Sequence, residues 1–318
     1  TLNREDIRNS YFTAIPLKIN TGSMYSVELN VLDLQRRTIS KNFIIADKRS
    51  RFNSQHFRTL SPRTGYPTFT RTYTSNEYFR VASNKIGYDS IIVDYYTLDR
   101  TMPRPIFSNA PEIPIKSYPD SSWVMPWADT STYVLPYQGI YHFRLESDVR
   151  EGLSLFNFGD NFPATKTPTD LLQPLVYLTS SSKFRDLRME PNRKLAVDNY
   201  WLSIAGDIDA ARELIRVYYN RVLYANLYFT SYKEGWKTDR GMIYIVFGPP
   251  NMLEKDVNIE KWTYFTRRNN APIEFVFERN SNLFTYSDFK IKRNMASNSL
   301  WAEAVRVWNN GKIYSPEY

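Results

Sequence analysis

One long apolar stripe constrains the fold of this chain more than any other feature. Between Asp207 and Tyr232, apolar residues recur in steps of three and four, which places them on one face of an α-helix. They are Ile208, Ala211, Ile215, Tyr218, Val222, Ala225 and Phe229. With Asp207 as its cap, the pattern predicts a helix of about 39 Å. A shorter helix, Asn192–Ile204, is predicted before it, between Pro191 and Gly206.

The first half of the chain has a different pattern, of short strands separated by turns. Strands are predicted at Ala14–Ile19, Met24–Leu34, Thr38–Ile45, 78–83 and 90–98, and 132–137 and 140–146 are predicted as a hairpin. Seven of the eighteen prolines lie between Thr101 and Gly139, where we expect edges and loops. Many short strands are typical of a sandwich, so we predict an immunoglobulin-like antiparallel β-sandwich over residues 1–150.

The second half is predicted as a connector, 151–186, followed by an α+β domain over 187–318. After the long helix comes GWKTDRGMIYIVFGPP, residues 235–250. We expect Gly235 to close the helix in a left-handed conformation, and Trp236 to anchor the core. Asp239 is expected to accept the N–H of Gly241, at positive φ, in a tight turn.

The segment Gly235–Gly241 is called the corner below. Uncharged residues follow it, so Met242–Phe247 is predicted as a buried strand. Further strands are predicted at 261–265, 272–278 and 283–287, with turns at Arg267–Asn270 and Asn280–Asn282. Together they predict a four-stranded antiparallel meander packed on the two helices. A closing amphipathic helix is predicted at 299–308.

Composition excludes several classes of protein. The 318 residues are 42% apolar, enough to bury a core and exclude wholesale disorder. No apolar run approaches the length of a transmembrane helix. Cysteine is absent and histidine occurs only at His56 and His142, so we expect neither disulfides, nor a metal site, nor a cofactor. Aromatics make up 16%, which fits either a β-rich fold or an aromatic binding surface.

Positive charge is concentrated near the N-terminus. Residues 1–80 hold thirteen basic and six acidic side chains, a net of +7 out of +8 for the whole chain. Much of this excess lies in 48–78, a segment without clean strand or helix periodicity. It is either a solvated basic loop, a surface for a protein partner, or, least favoured, a nucleic-acid site. The residues proposed for partner contact are Arg49, Arg51, Phe57, Arg58, Arg63, Arg71 and Tyr73.

The corner after the long helix resembles the GWxTD domain, a family of exported Bacteroidota proteins. The resemblance rests on Gly235, Trp236, Thr238, Asp239, Arg240 and Gly241, and is reinforced by Tyr244, Gly248, Pro249, Pro250, Trp262 and Tyr264. It implies a protein of the periplasm, peripherally associated with the outer membrane. Within this family we expect a non-catalytic subunit that plugs or gates a large β-barrel translocon of type 9 secretion, together with its accessory subunits.

An enzyme is the alternative. Asp239 is the acid within the corner, and as a general acid or base it would make the chain a periplasmic hydrolase of glycan or peptide. Asp207, Asp209, Asp256 and Asp288 are possible second carboxylates by count alone. No nucleophile elbow, zinc-protease helix or phosphate loop is present in the sequence. We therefore expect the corner to be structural.

Overall fold

The computed structural model describes residues 17–50, 52–85, 87–128, 130–265 and 272–315. Their contacts divide the chain into two compact units, Thr1–Arg51 and Phe52–Tyr318. The architecture is α+β, with small antiparallel sheets and six α-helices in the described part of the chain. This confirms the predicted fold class in its coarse form.

The described part of the first unit, residues 17–50, contains a β-hairpin. Strands β1 (Met24–Asp33) and β2 (Thr38–Asp47) pair antiparallel along their whole length. The Asp33 carboxylate accepts the backbone N–H groups of Gln35 and Arg36 at 2.9 and 3.0 Å, which fixes the turn. Both predicted strands are confirmed. The strand predicted from Ala14 lies outside the described residues up to position 16, and 17–19 is not a strand.

The second unit begins with two further sheets. Strands β3 (Phe57–Leu60) and β4 (Arg80–Ser83) pair with each other. Strands β5 (Ser90–Tyr96), β6 (Ser121–Pro126), β7 (Gly139–Arg144) and β8 (Leu153–Asn157) form an antiparallel sheet in the order β6-β5-β7-β8. Side chains of these strands, among them Val81, Ile91 and Leu155, share one hydrophobic cluster with Phe79.

One prediction in this region is wrong, and one strand was not predicted. Residues 132–137 do not form a hairpin with β7, because Tyr133 bridges to Phe79 instead and β7 lies between β5 and β8. The predicted connector contains β8, whose five residues are all buried and so lack the alternation that identifies a half-exposed strand. An immunoglobulin-like sandwich and the limits 1–150, 151–186 and 187–318 stay predictions.

Four helices follow in sequence. They are α1 (Pro168–Leu172), α2 (Ser181–Met189), α3 (Arg193–Ala205) and α4 (Ile208–Phe229), and a 3₁₀ turn, Gln173–Tyr177, follows α1. Each helix starts with a side-chain cap, from Thr167, Ser180, Asn192 and Asp207 respectively. The predicted long helix and its Asp207 cap are confirmed, although the helix ends at Phe229 rather than Tyr232. Helices α1 and α2 were missed.

The segment predicted as a buried strand at Met242–Phe247 belongs to helix α5 (Asp239–Phe247). A short apolar run is compatible with either structure, and here Thr238 caps a helix. The meander is confirmed, and its inner strands β10 (Ile259–Tyr264) and β11 (Ile273–Arg279) match two predicted strands. Its outer strands, β9 (Met252–Lys255) and β12 (Phe289–Ile291), were not predicted. Residues 283–287 are not a strand, and most of the turn predicted at Arg267–Asn270 lies outside the described residues.

Helix α5 is the centre of the largest hydrophobic cluster. It packs on α4, on β12 and on the closing helix α6 (Asn298–Asn309), which confirms the predicted C-terminal helix. Every residue of α5 except Tyr244 is buried. Among the described helices, none is at once long enough and apolar enough to span a membrane.

Candidate functional site

Thr238 organises the corner between α4 and α5. Its hydroxyl oxygen accepts the N–H of Gly241 at 3.0 Å and donates to the carbonyl of Gly235 at 2.8 Å. One buried side chain thus caps α5 and closes the 3₁₀ turn Gly235–Lys237 before it. The Asx-turn predicted for Asp239 is wrong, because a threonine one residue earlier takes that role.

Gly235 and Gly241 are required by close packing rather than by backbone conformation. Neither has a positive φ, which corrects both predictions. A β-carbon on Gly235 would lie 1.9 Å from the carbonyl oxygen of Ala225, and one on Gly241 would lie 1.9 Å from that of Gly235. The turn is therefore pressed against α4 on one side and against the first turn of α5 on the other.

Asp239 fastens the start of α5 to the far edge of the meander. The residue is 3% exposed. One carboxylate oxygen accepts the backbone N–H of Ile291 at 2.9 Å, and the other pairs with the Arg293 guanidinium at 2.8 Å. A negative charge in the first helical turn is also favoured by the helix dipole. Each oxygen of this carboxylate has a partner inside the fold.

Arg240 makes a second, more deeply buried ion pair. Its guanidinium lies 2.9 Å from the Glu260 carboxylate and also donates to the carbonyl of Ser287 at 2.5 Å. It stacks between the rings of Phe229 and Phe289, at 5.4 and 4.5 Å. Burial lowers the pKa of Arg240, and the Glu260 charge opposes this shift. Arg240 therefore joins α4, α5 and the meander.

Trp236 links the corner to the other helices. Its backbone N–H donates to the side-chain oxygen of Asn226 in α4 at 3.0 Å, and its backbone carbonyl accepts the Tyr177 hydroxyl at 2.6 Å. Burial raises the pKa of Tyr177 well above its ordinary value, so this hydroxyl stays a donor. The predicted anchoring of Trp236 in the core is confirmed, at 6% exposure.

Side-chain hydrogen bonds also stabilise the C-terminal end of α5. Gly248, at φ +85°, accepts the Tyr264 hydroxyl at 2.9 Å through its carbonyl. Arg221 of α4 donates to the carbonyls of Ile245 and Val246, at 3.2 and 3.3 Å. Burial lowers the pKa of Arg221 to about 10. A helix inside a core needs such donors, because water cannot reach its last carbonyls.

A match to a family model decides the classification. The model of the GWxTD domain matches residues 139–310, just over half of the chain, and this range contains the whole corner. The chain belongs to the GWxTD family. No curated protein and no solved structure matches it.

The remaining residues of the GWxTD pattern extend the same packing. Tyr244 lies against Phe229, with ring centroids 5.5 Å apart, and Trp262 contacts Phe229 at 5.2 Å. Pro249 is exposed and Pro250 half-buried, and both follow the last residue of α5. The pattern is thus a set of contacts around the two ends of one buried helix.

A second carboxylate does lie near Asp239. Burial raises the pKa of Asp288, and the Asp239 charge adds to this effect. Asp288 is itself buried and accepts from the side chain of Asn280 at 2.6 Å. The other counted candidates have other partners: Asp207 caps α4, Asp209 pairs with Arg212 on the surface, and Asp256 accepts the backbone N–H of Val257. Within the described ranges, no three His, Asp or Glu side chains are grouped to hold a metal ion.

The predicted partner-contact residues that the structure describes differ in their exposure. Phe57 and Tyr73 are buried together in the hydrophobic cluster around Phe79. Arg71 is half-buried and donates to the carbonyl of Phe284 and the hydroxyl of Ser54, at 3.5 and 3.4 Å. Arg58 and Arg63 are exposed, whereas Arg49 belongs to the hairpin unit and pairs with Asp47. Arg51 lies outside the described residues.

Several residues that hold the corner were missed from the sequence. Ile291 and Arg293 donate hydrogen bonds to the Asp239 carboxylate. From α4, Asn226 accepts the backbone N–H of Trp236, and Arg221 donates to the carbonyl of Ile245. Asn226 and Arg221 carry a recognisable signal, since each is a polar residue close to the apolar stripe of a helix. Arg293 has none, because only the fold places it opposite Asp239.

Proposed function

We propose that this GWxTD chain is a non-catalytic periplasmic subunit that docks on an outer-membrane translocon and plugs or gates its periplasmic opening. The Plug subunit of the type 9 secretion translocon is the model for this role. The partner would be the large β-barrel protein and its accessory subunits. This proposal rests on the family resemblance together with the geometry of the corner.

The main observation behind the proposal is that the polar side chains of the corner bond to groups within the fold. Thr238, Asp239 and Arg240 each bond to other parts of the same unit and are buried. A catalytic acid must reach substrate, and burial to this degree weighs against that use of Asp239. The corner instead gives a rigid body, which suits a subunit that acts by occupying space.

The outer face of α4 supports contact with another protein. Tyr224, Leu227 and Tyr228 are 42%, 54% and 61% exposed, and the two tyrosine rings stack 5.8 Å apart. Aromatic side chains on an exposed helix face are enriched in protein interfaces. Tyr219, which also lies off the apolar stripe, is instead buried and donates to the carbonyl of Leu171 at 2.6 Å.

Affinity purification from detergent-solubilised envelope tests the proposal. We expect a tagged chain to bring down a large outer-membrane β-barrel protein, identified by mass spectrometry. Charge reversal at Arg58 and Arg63 tests the basic segment, and Arg306→Glu on the surface of α6 is the matched control. Failure to recover any outer-membrane barrel from the chain's own cells would overturn the proposal. Equal recovery by both variants would place the contact away from the basic segment.

A further inference from the structure

A cavity of about 300 Å³ lies behind the corner, within the second unit. Helices α1 and α2, the 3₁₀ turn after α1 and the loop at Arg100–Met102 surround it, and Trp236 and Lys237 of the corner complete the wall. Its volume is at the lower end of the range for small-molecule sites. The packing of the corner described above does not use this space. The name Trp236 cavity is used for it below.

Apolar side chains make up one part of the wall. They are Met102, Leu172, Val176, Phe184 and Trp236. Leu172 and Trp236 are buried core residues, so this part of the wall is held in place by the fold. Two aromatic rings and three aliphatic side chains favour a hydrocarbon group as the occupant.

Basic side chains make up the other part. Arg100, Arg188, Arg193 and Lys237 line the cavity, and among the described residues no Asp or Glu does. Lys237 is already neutralised by an ion pair with Glu234. Arg193 is positioned by a hydrogen bond of 2.6 Å to the Thr169 hydroxyl, which leaves further guanidinium donors available.

Arg100 and Arg188 are exposed, and neither is among the arginines that form ion pairs in the described part of the chain. Three arginine charges therefore surround an apolar hollow that no carboxylate of the described residues lines. Guanidinium groups match carboxylates in shape and charge and bind them through paired hydrogen bonds.

We infer that the Trp236 cavity binds a small organic carboxylate with an apolar body, either a medium-length acyl chain or an aromatic acid. The hydrocarbon part contacts Phe184, Trp236 and their apolar neighbours, and the carboxylate pairs with Arg188 and Arg100. This inference does not depend on the proposed function, because a ligand site behind the corner is compatible with any partner.

Isothermal titration of the full chain tests the inference with two acids and their neutral counterparts. The pairs are octanoate with 1-octanol, and 3-phenylpropionate with 3-phenylpropanol. We expect at least one acid to bind saturably, about tenfold or more tightly than its alcohol. The preferred acid distinguishes an acyl ligand from an aromatic one. Absence of binding by both acids, or equal binding of acid and alcohol, would overturn the inference.

Two variants of α2 locate the binding site. Arg188→Gln is expected to weaken binding of the acid about tenfold, because it removes a charged partner of the carboxylate. Arg185→Gln is the matched control, since Arg185 lies on the same helix but lines only a neighbouring hollow. Both side chains are exposed, and thermal unfolding checks that both variants fold. Equal weakening by the two variants would mean non-specific attraction to the helix and would contradict the assignment.

Discussion

Gly241 lies where the first turn of α5 meets the carbonyl of Gly235, and that carbonyl belongs to backbone that cannot move aside. We expect Gly241→Ala to lower the free energy of unfolding by about 3 kcal/mol or more, through overpacking. Gly206→Ala is the contrast, since Gly206 has φ +84° with open space around it. Conformational strain alone predicts a loss of about 1–2 kcal/mol there. Urea denaturation of both variants measures the difference, and equal losses would contradict the steric explanation.

Substitution of Asp239 distinguishes a structural role of the corner from a catalytic one. Asp239→Asn leaves Arg293 without its buried counter-charge, so we expect a loss of about 3 kcal/mol in the free energy of unfolding. Asp209→Asn, in an exposed pair with Arg212, is the control and should change stability by less than about 1 kcal/mol. A fully stable Asp239→Asn protein that loses a hydrolytic activity of the wild type would instead support the enzyme.

His142 makes the stability of the second unit depend on pH. Its ring is fully buried between the Ser154 hydroxyl and the Arg150 carbonyl, each 2.8 Å away. Burial lowers the pKa of His142 from 6.5 to about 4. At pH values between these two pKa values, the imidazole of His142 binds a proton more tightly in the unfolded chain than in the folded one. The contribution to stability is therefore complete above about pH 6.5 and is lost as the pH falls towards 4, by about 3 kcal/mol.

Urea denaturation at several pH values checks this window. The variant His142→Gln should be less stable than the wild type at pH 7, and the gap between the two should narrow as the pH falls. Other groups titrate in both proteins, so the difference between them isolates the imidazole. A gap that stays constant from pH 7 to pH 4 would show that His142 is not the group responsible.

At the scale of the element, α5 depends on its cap. Thr238→Ala removes both the acceptor for the N–H of Gly241 and the donor to the carbonyl of Gly235, in a buried site. We expect a loss of about 2 kcal/mol in the free energy of unfolding, and we expect Thr238→Ser to retain most of the stability. Chemical denaturation measures both. A serine variant as unstable as the alanine one would assign the effect to the lost methyl group.

Helices α4 and α5 show how far local patterns predict an element. The stripe of α4 repeats six times at helical spacing, which a strand cannot imitate. Helix α5 offers no such contrast, because from Met242 onwards it is apolar on every face, as is typical of a helix at the centre of a core. Its six residues from Met242 to Phe247 therefore fit a buried strand equally well. The choice between helix and strand is decided by Thr238, which caps α5. Its hydroxyl also bonds to the Gly235 carbonyl, so its role depends on the position of Gly235 in the fold.

At the scale of the whole molecule, the division at Arg51 and Phe52 predicts independent folding of the second unit. The buried residues of all three hydrophobic clusters lie between Phe57 and Tyr314. We therefore expect a chain that begins at Phe52 to unfold cooperatively, with a thermal midpoint within a few degrees of that of the full chain. Calorimetry of both proteins measures this, and loss of the cooperative transition in the shorter chain would contradict it.

The sequence by itself determined the α+β class, the long helix with its cap, the hairpin strands and membership of the GWxTD family. Each of these rests on interactions between residues close in the chain, or on a motif of fixed spacing. Only the tertiary structure decided that Met242–Phe247 is a helix, that Gly235 and Gly241 are needed for close packing, and that Asp239 meets Ile291 and Arg293. The contacts of Asp239 join residues more than fifty positions apart, and no local pattern records which distant residue will be the neighbour.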